Sequence, residues 1–143
     1  MGLLKIKKSQ QAALIIRREA LHEERLVYLA LANKPIKYKY GRSRIAYIGT
    51  TKRGVHRIAQ SAAKQSKELL GIHGVRELQF HVVACGPRQG VKTWKKLERA
   101  LLILFREQLG EVPKGNRQGP GLRWRDEREI FGRRSLEKIF SSI

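Results

Sequence analysis

The chain has 143 residues, of which 41% are hydrophobic. This is enough for one folded domain with a single core, and it excludes a disordered basic tail. Lys and Arg total 31 against 12 Asp and Glu, which gives a formal net charge of +19. Such an excess indicates a polyanionic partner, most often nucleic acid. An acidic membrane surface or an acidic protein is the rival partner, but no stretch reaches the roughly 18 apolar residues of a membrane span and no motif favours either rival, so no membrane partner is expected.

The start of the chain and its single cysteine bear on the cellular compartment. The first eight residues lack the long apolar region and the cleavage site of a signal peptide. Cys85 is the only cysteine, so an internal disulfide cannot form. Both features are typical of a cytoplasmic protein.

The first predicted elements are a helix and two strands. A helix is predicted over about 9–24, with Ser9 as a possible cap. Its apolar residues recur at roughly helical spacing, at Ala12, Ala13, Ile15, Ile16 and Ala20. The apolar run Arg25 to Ala32 predicts a strand that Asn33-Lys34-Pro35 ends. Arg44 to Thr50 predicts the second strand, so the sheet begins with a hairpin.

The connection between these two strands is long, basic and rich in tyrosine. Gly41-Arg42-Ser43 predicts a turn within it. One interpretation is a solvated hairpin tip. In the other, Tyr38 or Tyr40 stacks on a base or sugar while basic side chains contact phosphates. Those basic side chains are Lys37, Lys39, Arg42 and Arg44.

The second half of the chain predicts two long helices around a third strand. Lys52 to Leu70 predicts a helix, which starts only after Gly54 if that glycine stays outside it. Glu77 to Cys85 predicts a strand. Lys92 to Leu109 predicts a helix that Gly110 ends. Its apolar stripe comprises Trp94, Leu97, Leu101, Leu104 and Phe105.

The order β-β-α-β-α predicts an α+β fold, with a small three-stranded antiparallel sheet flanked by helices. We expect one domain over 1–143, with a core at about 25–116 and a basic extension at 117–143. A last helix is predicted over Ser135 to Phe140. The basic segment Arg117 to Arg134, which contains Trp124, could lie along a nucleic-acid backbone.

Four polar residues stand at informative places in this order. Tyr47-Ile48-Gly49 ends the second predicted strand, and Arg57 follows Tyr47 by ten residues. Glu98 lies in the second long helix, four residues after Trp94 and three before Leu101, so it borders the apolar stripe. Asn116 lies just beyond that helix.

These residues carry a resemblance to the GIY-YIG nuclease family. The segment from Ala46 to Ile58 resembles the second half of the family signature, a strand ending in Tyr-Ile-Gly followed by a helix with an arginine. Leu97-Glu98-Arg99-Ala100-Leu101 resembles the later helix with its metal-binding glutamate. Pro113-Lys114-Gly115-Asn116 resembles the loop asparagine that follows.

The first half of the signature is degenerate. Leu26-Val27-Tyr28 matches the Gly-Ile-Tyr element without its glycine, and an alternative alignment uses Ile36-Lys37-Tyr38. The apolar density of Arg25 to Ala32, which is typical of a central strand, favours Tyr28. By resemblance, Tyr28 is the second tyrosine of the site.

The chemistry of phosphodiester hydrolysis gives each residue a role. Glu98 could hold one Mg²⁺ or Mn²⁺, which needs only one or two carboxylates. Arg57 could donate a bidentate pair of hydrogen bonds to phosphate. Tyr47 could accept or relay the proton of the attacking water if cations lower its pKa from about 10. Asn116 would orient the phosphate or support the fold near the metal.

Each role has an ordinary structural alternative. Glu98 could be a solvated glutamate beside Lys95 or Arg99, and Arg57 could be a surface charge. Arg53 is the alternative phosphate-binding arginine if the register of the first long helix differs by one turn. His56 is expected at the surface or as an auxiliary proton carrier. Lys52, Arg53 and His56 are also expected to contact nucleic acid.

The sequence therefore predicts a metal-dependent endonuclease that acts on duplex or branched DNA, as a monomer or homodimer, with RNA left open as a substrate. The rival is a non-catalytic basic protein that binds RNA or DNA, of ribosomal or architectural type. Charge alone favours the rival. The residue order Tyr47, Arg57, Glu98 and Asn116 favours the enzyme.

Overall fold

The computed structural model describes residues 2–19, 21–116 and 130–143. Its strands form one antiparallel sheet in the order β2-β1-β3, which confirms the predicted α+β class with its hairpin first and its flanking helices. The elements are β1 (Leu26–Lys37), β2 (Arg42–Thr51), α1 (Val55–Leu69), β3 (Leu78–Val83), α2 (Thr93–Leu109) and α3 (Arg133–Ser141).

Strand β1 is the centre of the molecule. Every residue from Leu26 to Ala32 is buried. Successive side chains of a strand point to opposite faces, so both faces of the sheet are covered here. Helix α2 packs on β1 and β2, and α1 contacts β2 and β3. The apolar density of this segment thus reflects its central position.

The predicted end of the first strand at Asn33-Lys34-Pro35 is wrong. Strand β1 continues to Lys37 through a register shift between Leu31 and Ile36. Pro35 has no N–H to donate, and it lies in this irregular stretch, where no ladder bond is required of it. The Asn33 side-chain amide keeps the stretch on the sheet, because its Oδ1 accepts a 2.9 Å hydrogen bond from the Arg76 N–H next to β3.

The connection between the first two strands is shorter than its sequence suggests. Lys37 pairs with Arg42, and the Tyr38 N–H donates a 2.7 Å hydrogen bond to the Gly41 carbonyl. Most of the basic stretch therefore lengthens β1 and β2. Only the residues between Lys37 and Arg42 form the turn.

Glycine residues mark the start of helix α1 and the end of helix α2. Helix α1 begins after Gly54, whose φ is 79°, so the predicted start at Lys52 is wrong and the alternative start after the glycine is confirmed. Helix α2 ends at Gly110 in the left-handed conformation, with φ 80°. The predicted stripe of α2 is buried in the core, at Trp94, Leu97, Leu101, Leu104 and Phe105.

The predicted N-terminal helix over 9–24 is absent from the described residues of that range. Leu14, Ile15 and Ile16 are 76%, 77% and 81% exposed, so no apolar face is buried against the body. A helix of this length is marginal in water without such packing. The Ser9 hydroxyl also fails to cap, because it donates to the Gln11 carbonyl at 2.6 Å.

The C-terminal helix is present as Arg133–Ser141. It packs through buried Leu136 and through Phe140, whose ring lies edge-on to Phe105 at 6.2 Å. Trp124 and most of the basic segment Arg117 to Arg134 lie outside the described residues. No helix in the described part of the chain is long and apolar enough to cross a membrane.

Candidate active site

Two tyrosines meet on neighbouring strands. Tyr28 of β1 lies opposite Gly49 of β2, and Ala30 lies opposite Tyr47. The two tyrosine rings are 5.8 Å apart between centroids and tilted by 40°. Tyr28 is 1% exposed and Tyr47 is half-buried, so Tyr47 is the member of the pair that a substrate can reach.

Gly49 makes room for this pair. A Cβ atom at Gly49 would lie 2.6 Å from Cε1 of Tyr47 and 2.7 Å from both Cζ and Oη of Tyr28. Real Cβ contacts of that length essentially do not occur. The glycine of the Tyr-Ile-Gly element is therefore required by the close approach of the two rings.

Glu98 reaches the same end of β2 from helix α2. Its carboxylate accepts a hydrogen bond from the Thr50 side chain, one residue beyond Gly49. Burial raises the pKa of Glu98, while the hydrogen bond from Thr50 and the charge of Lys95 oppose that rise. Glu98 is thus a half-buried carboxylate beside the tyrosine pair, and not the fully solvated glutamate of the alternative interpretation.

Tyr47 is electrostatically coupled to both neighbours. Burial raises the pKa of Tyr47 most, followed by charge and hydrogen-bond interactions with Tyr28 and by the negative charge of Glu98. The phenol is therefore protonated at neutral pH in the free protein. It can accept a proton only if a positive charge is brought close to it.

Asn116 is bound to the outer edge of β2. Its Oδ1 accepts a 2.9 Å hydrogen bond from the Ile48 N–H, and its Nδ2 donates a 2.8 Å hydrogen bond to the Ile48 carbonyl. The Gly115 N–H also donates to the Ala46 carbonyl at 2.8 Å. The asparagine amide thus serves as a partner for the edge strand between Tyr47 and Gly49, which favours the supporting role over direct phosphate contact.

Arg57 lies in the first turn of α1, directly after the chain leaves β2. Gly54 turns the chain there, and its carbonyl accepts a 3.2 Å hydrogen bond from the Arg57 N–H. The Arg57 side chain is exposed. Within the described part of the chain its guanidinium has no hydrogen bond or ion pair. It is therefore free to bind an anion, although no contact joins it to Tyr47 or Glu98.

The alternative first tyrosine, Tyr38, occupies a different environment. Its hydroxyl donates a 2.6 Å hydrogen bond to the Ile45 carbonyl and accepts one of 3.1 Å from the Lys114 N–H. Its ring packs edge-on to Phe105 at 5.0 Å. Burial raises the pKa of Tyr38 to about 12. Tyr28, and not Tyr38, is the tyrosine beside Tyr47.

The residues predicted to contact phosphates are all exposed. They are Lys37, Lys39, Arg42, Arg44, Lys52, Arg53 and His56. Arg44 also has a structural contact, because its Nε donates a 2.9 Å hydrogen bond to the Ala32 carbonyl across the irregular part of β1. Lys52, Arg53 and His56 lie next to Arg57, where β2 leads into α1.

Two residues of the site were missed by sequence reasoning. Thr50 directly follows the Tyr-Ile-Gly element, and that position was its only sequence signal. Gln65 lies two helical turns after Arg57 and is buried, with no hydrogen-bond partner for its Oε1 among the described residues. A Cβ at Gly115 would lie 3.1 Å from both this Oε1 and Cδ2 of Tyr47, so Gln65 and Tyr47 both approach the backbone of Gly115.

Comparisons with known proteins give no independent guide to the family. No protein-family model matches the chain, and no significantly similar chain was found among the curated proteins or the solved structures.

Proposed function

We propose that this protein is a metal-dependent endonuclease that hydrolyses phosphodiester bonds in DNA. The observation that carries the proposal is the meeting of Tyr28, Tyr47, Glu98 and Asn116 around one end of β2. These residues come from β1, β2, α2 and the loop after α2. An ordinary basic binding protein needs charge at its surface, but it does not need a half-buried carboxylate beside paired phenols.

The donor set fits one hard divalent cation. Glu98 is the carboxylate that would hold Mg²⁺ or Mn²⁺, and the described residues give it a hydrogen bond from Thr50 but no ion pair. No group of three or more His, Cys, Asp or Glu side chains suited to a metal occurs in the described ranges. A single carboxylate is sufficient for Mg²⁺, which usually keeps several waters. The cation would stabilise negative charge on the phosphate and on the leaving oxygen.

The remaining side chains would position the phosphate and the nucleophile. Arg57 is exposed beside the strand end and would donate two parallel hydrogen bonds to non-bridging oxygens. Water attacks phosphorus, the bond to the leaving 3′-oxygen breaks, and that oxygen takes up a proton. Tyr47 would orient the water and relay its proton, while Tyr28 holds the Tyr47 ring.

The burial of Tyr47 sets a condition on this chemistry. Its raised pKa makes the phenol a hydrogen-bond donor in the free protein. The charge of a bound cation and of Arg57 would lower that pKa and allow proton acceptance. We therefore expect hydrolysis to be faster at alkaline pH and to depend strictly on the divalent metal.

A plasmid-nicking assay tests the proposal. Supercoiled DNA is incubated with Mg²⁺ or Mn²⁺ and with either the wild type or Glu98→Gln, which keeps the size of the side chain and its acceptor for Thr50. We expect nicking by the wild type only. DNA affinity should be similar for the two proteins, since phosphate contacts dominate binding.

Two results would overturn the assignment. Equal nicking by both proteins would overturn the assignment of Glu98 to the catalytic site. An absence of cleavage on plasmid, hairpin, branched DNA and RNA with either metal, despite tight binding, would establish the non-catalytic binding protein instead.

A further inference from the structure

Tyr40 is an exposed aromatic residue in a fixed position. It lies in the turn between β1 and β2, and 67% of its surface is exposed. The other tyrosine of this turn, Tyr38, is buried, with both sides of its hydroxyl occupied. Of these two tyrosines, therefore, only Tyr40 offers its ring to a ligand.

The ring is held by the C-terminal end of helix α2. The Tyr40 N–H donates a 2.9 Å hydrogen bond to the Leu109 carbonyl. A Cβ at Gly110 would lie 2.8–2.9 Å from three carbons of the Tyr40 ring, so the ring rests directly on this glycine. Gly110 also has a φ of 80°, which side chains rarely allow. One side of the ring is thus supported, and the rest of it faces solvent.

A second set of contacts fixes the turn on the other side of Tyr40. The Lys39 N–H donates a 3.0 Å hydrogen bond to Oε2 of Glu111. Oε1 of the same carboxylate accepts a 2.8 Å bond from Nζ of Lys114. These contacts lower the pKa of Glu111, with the Lys114 hydrogen bond as the largest cause. The turn is therefore ordered before any ligand binds.

One cation lies over this ring, and two more lie at the base of the same turn. The Lys39 ammonium lies 5.7 Å from the Tyr40 ring centroid. Lys37 and Arg42 are exposed and paired across the base of the turn. The flexible Lys39 side chain can leave the ring to a base and bind the adjacent phosphate, so an aromatic ring with cations close by matches the two parts of a nucleotide.

We propose that Tyr40 is a stacking platform for an unpaired nucleobase. A base inside a duplex has both faces covered by its neighbours, so the platform selects nucleic acid with a single-stranded or unstacked nucleotide. This proposal rests on the proposed function only in taking nucleic acid as the ligand. The stacking proposal narrows the expected ligands to nucleic acids with branched, gapped or single-stranded regions. It does not depend on whether the protein cleaves them.

Binding measurements on the full chain test the platform. Each Tyr40 variant is made in the Glu98→Gln background, which prevents cleavage. The probe is a single-stranded oligonucleotide that carries 2-aminopurine at one position at a time, with the matching duplex as comparison. Stacking on Tyr40 should quench the fluorescence at one or two positions of the single strand.

The variants separate stacking from charge. Tyr40→Ser should lose the quenching and weaken single-strand binding roughly 5- to 100-fold, with little change on duplex. Tyr40→Phe should retain both. Lys39→Ala should lower affinity and the salt dependence of binding while the quenching at saturation remains. Unfolding temperatures should stay close to the parent, because the Tyr40 side chain is exposed.

The outcomes distinguish this proposal from the nuclease proposal. Unchanged quenching and affinity in Tyr40→Ser would overturn the platform, whether or not the wild type cleaves DNA. Equal weakening of single-strand and duplex binding would also overturn it, since that result indicates a general contact. If the wild type cleaves nothing but the Tyr40 effects appear as expected, the nuclease fails and the platform stands.

Discussion

The rings of Tyr28 and Tyr47 lie 5.8 Å apart across the pairing of β1 and β2. They are diagonal neighbours, because Tyr28 is opposite Gly49 and Tyr47 is opposite Ala30. The space between them exists only because Gly49 has no side chain. The tyrosine pair and the glycine therefore form one structural unit, in which a side chain at position 49 would clash with both rings.

Gly49→Ala should disrupt this unit. The added methyl group would lie within 2.7 Å of atoms on both rings, so at least one ring must move. Overpacking of this kind typically costs about 1–3 kcal/mol of unfolding free energy. We expect that loss in urea denaturation, together with loss of nicking. Gly86→Ala is the matched control, because nothing lies within 4 Å of a Cβ there. Normal nicking by Gly49→Ala would contradict a role for the pair.

The elements that sequence analysis predicted well are those whose pattern reflects burial. β1 was recognised from the density of apolar residues between Arg25 and Ala32, which results from burial on both faces. α2 was recognised from its apolar stripe and from Gly110 at its end. In both segments local propensity and tertiary packing favour the same structure, so the pattern was sufficient.

The errors occurred where tertiary contacts decide the local structure. Asn33-Lys34-Pro35 indicated a break, but the side-chain bonds of Asn33 keep this stretch on the sheet. The stripe over 9–24 indicated a helix, but Leu14 and Ile16 are largely exposed and are not packed against the described core. Gln65 could not be recognised from the sequence, because its position near the site depends on its approach to Gly115, about fifty positions later in the chain.

Glu98→Gln should stabilise the metal-free protein at neutral pH. Burial raises the pKa of Glu98 above 4.5, so the folded state binds its proton more tightly than the unfolded state does. Ionised Glu98 therefore destabilises the fold. This penalty is absent below pH 4.5 and develops as the pH rises through the raised pKa. Glutamine cannot ionise, so thermal unfolding of Glu98→Gln should occur at a higher temperature than that of the wild type at pH 7 but not at pH 4.

Binding of the divalent metal should reverse the order of the two unfolding temperatures, so that the wild type becomes more stable than Glu98→Gln. A cation that binds the folded state through Glu98 stabilises the wild type, by an amount that grows with its concentration. Titration with Mg²⁺ or Mn²⁺ should raise the unfolding temperature of the wild type and leave that of Glu98→Gln nearly unchanged. Glu68→Gln, at an exposed position of α1, controls for loss of charge. An equal metal response in both Glu98 forms would contradict a cation site there.

Asn116→Asp should weaken the edge of β2. Aspartate can still accept from the Ile48 N–H, but it cannot donate to the Ile48 carbonyl, which would then face a carboxylate oxygen. We expect a loss of roughly 1–3 kcal/mol in urea denaturation, together with reduced nicking. Asn33→Asp is a matched control, since that asparagine also joins a loop to a strand but lies outside the site. Stability equal to the wild type would show that the Asn116 contacts are dispensable.

Arg57→Ala should separate catalysis from binding. The Arg57 side chain is exposed, so its removal should leave the unfolding temperature unchanged. Loss of one preorganised donor to a reacting oxygen typically lowers kcat by about 10²–10³. Loss of one phosphate contact lowers the salt slope of DNA binding by only about 0.9. Arg57→Lys should recover little activity, because an ammonium cannot donate the bidentate pair. Arg53→Ala is the control, with the same charge change four residues earlier, in the connection between β2 and α1. A large loss of kcat in Arg53→Ala, with normal activity in Arg57→Ala, would assign the phosphate clamp to Arg53.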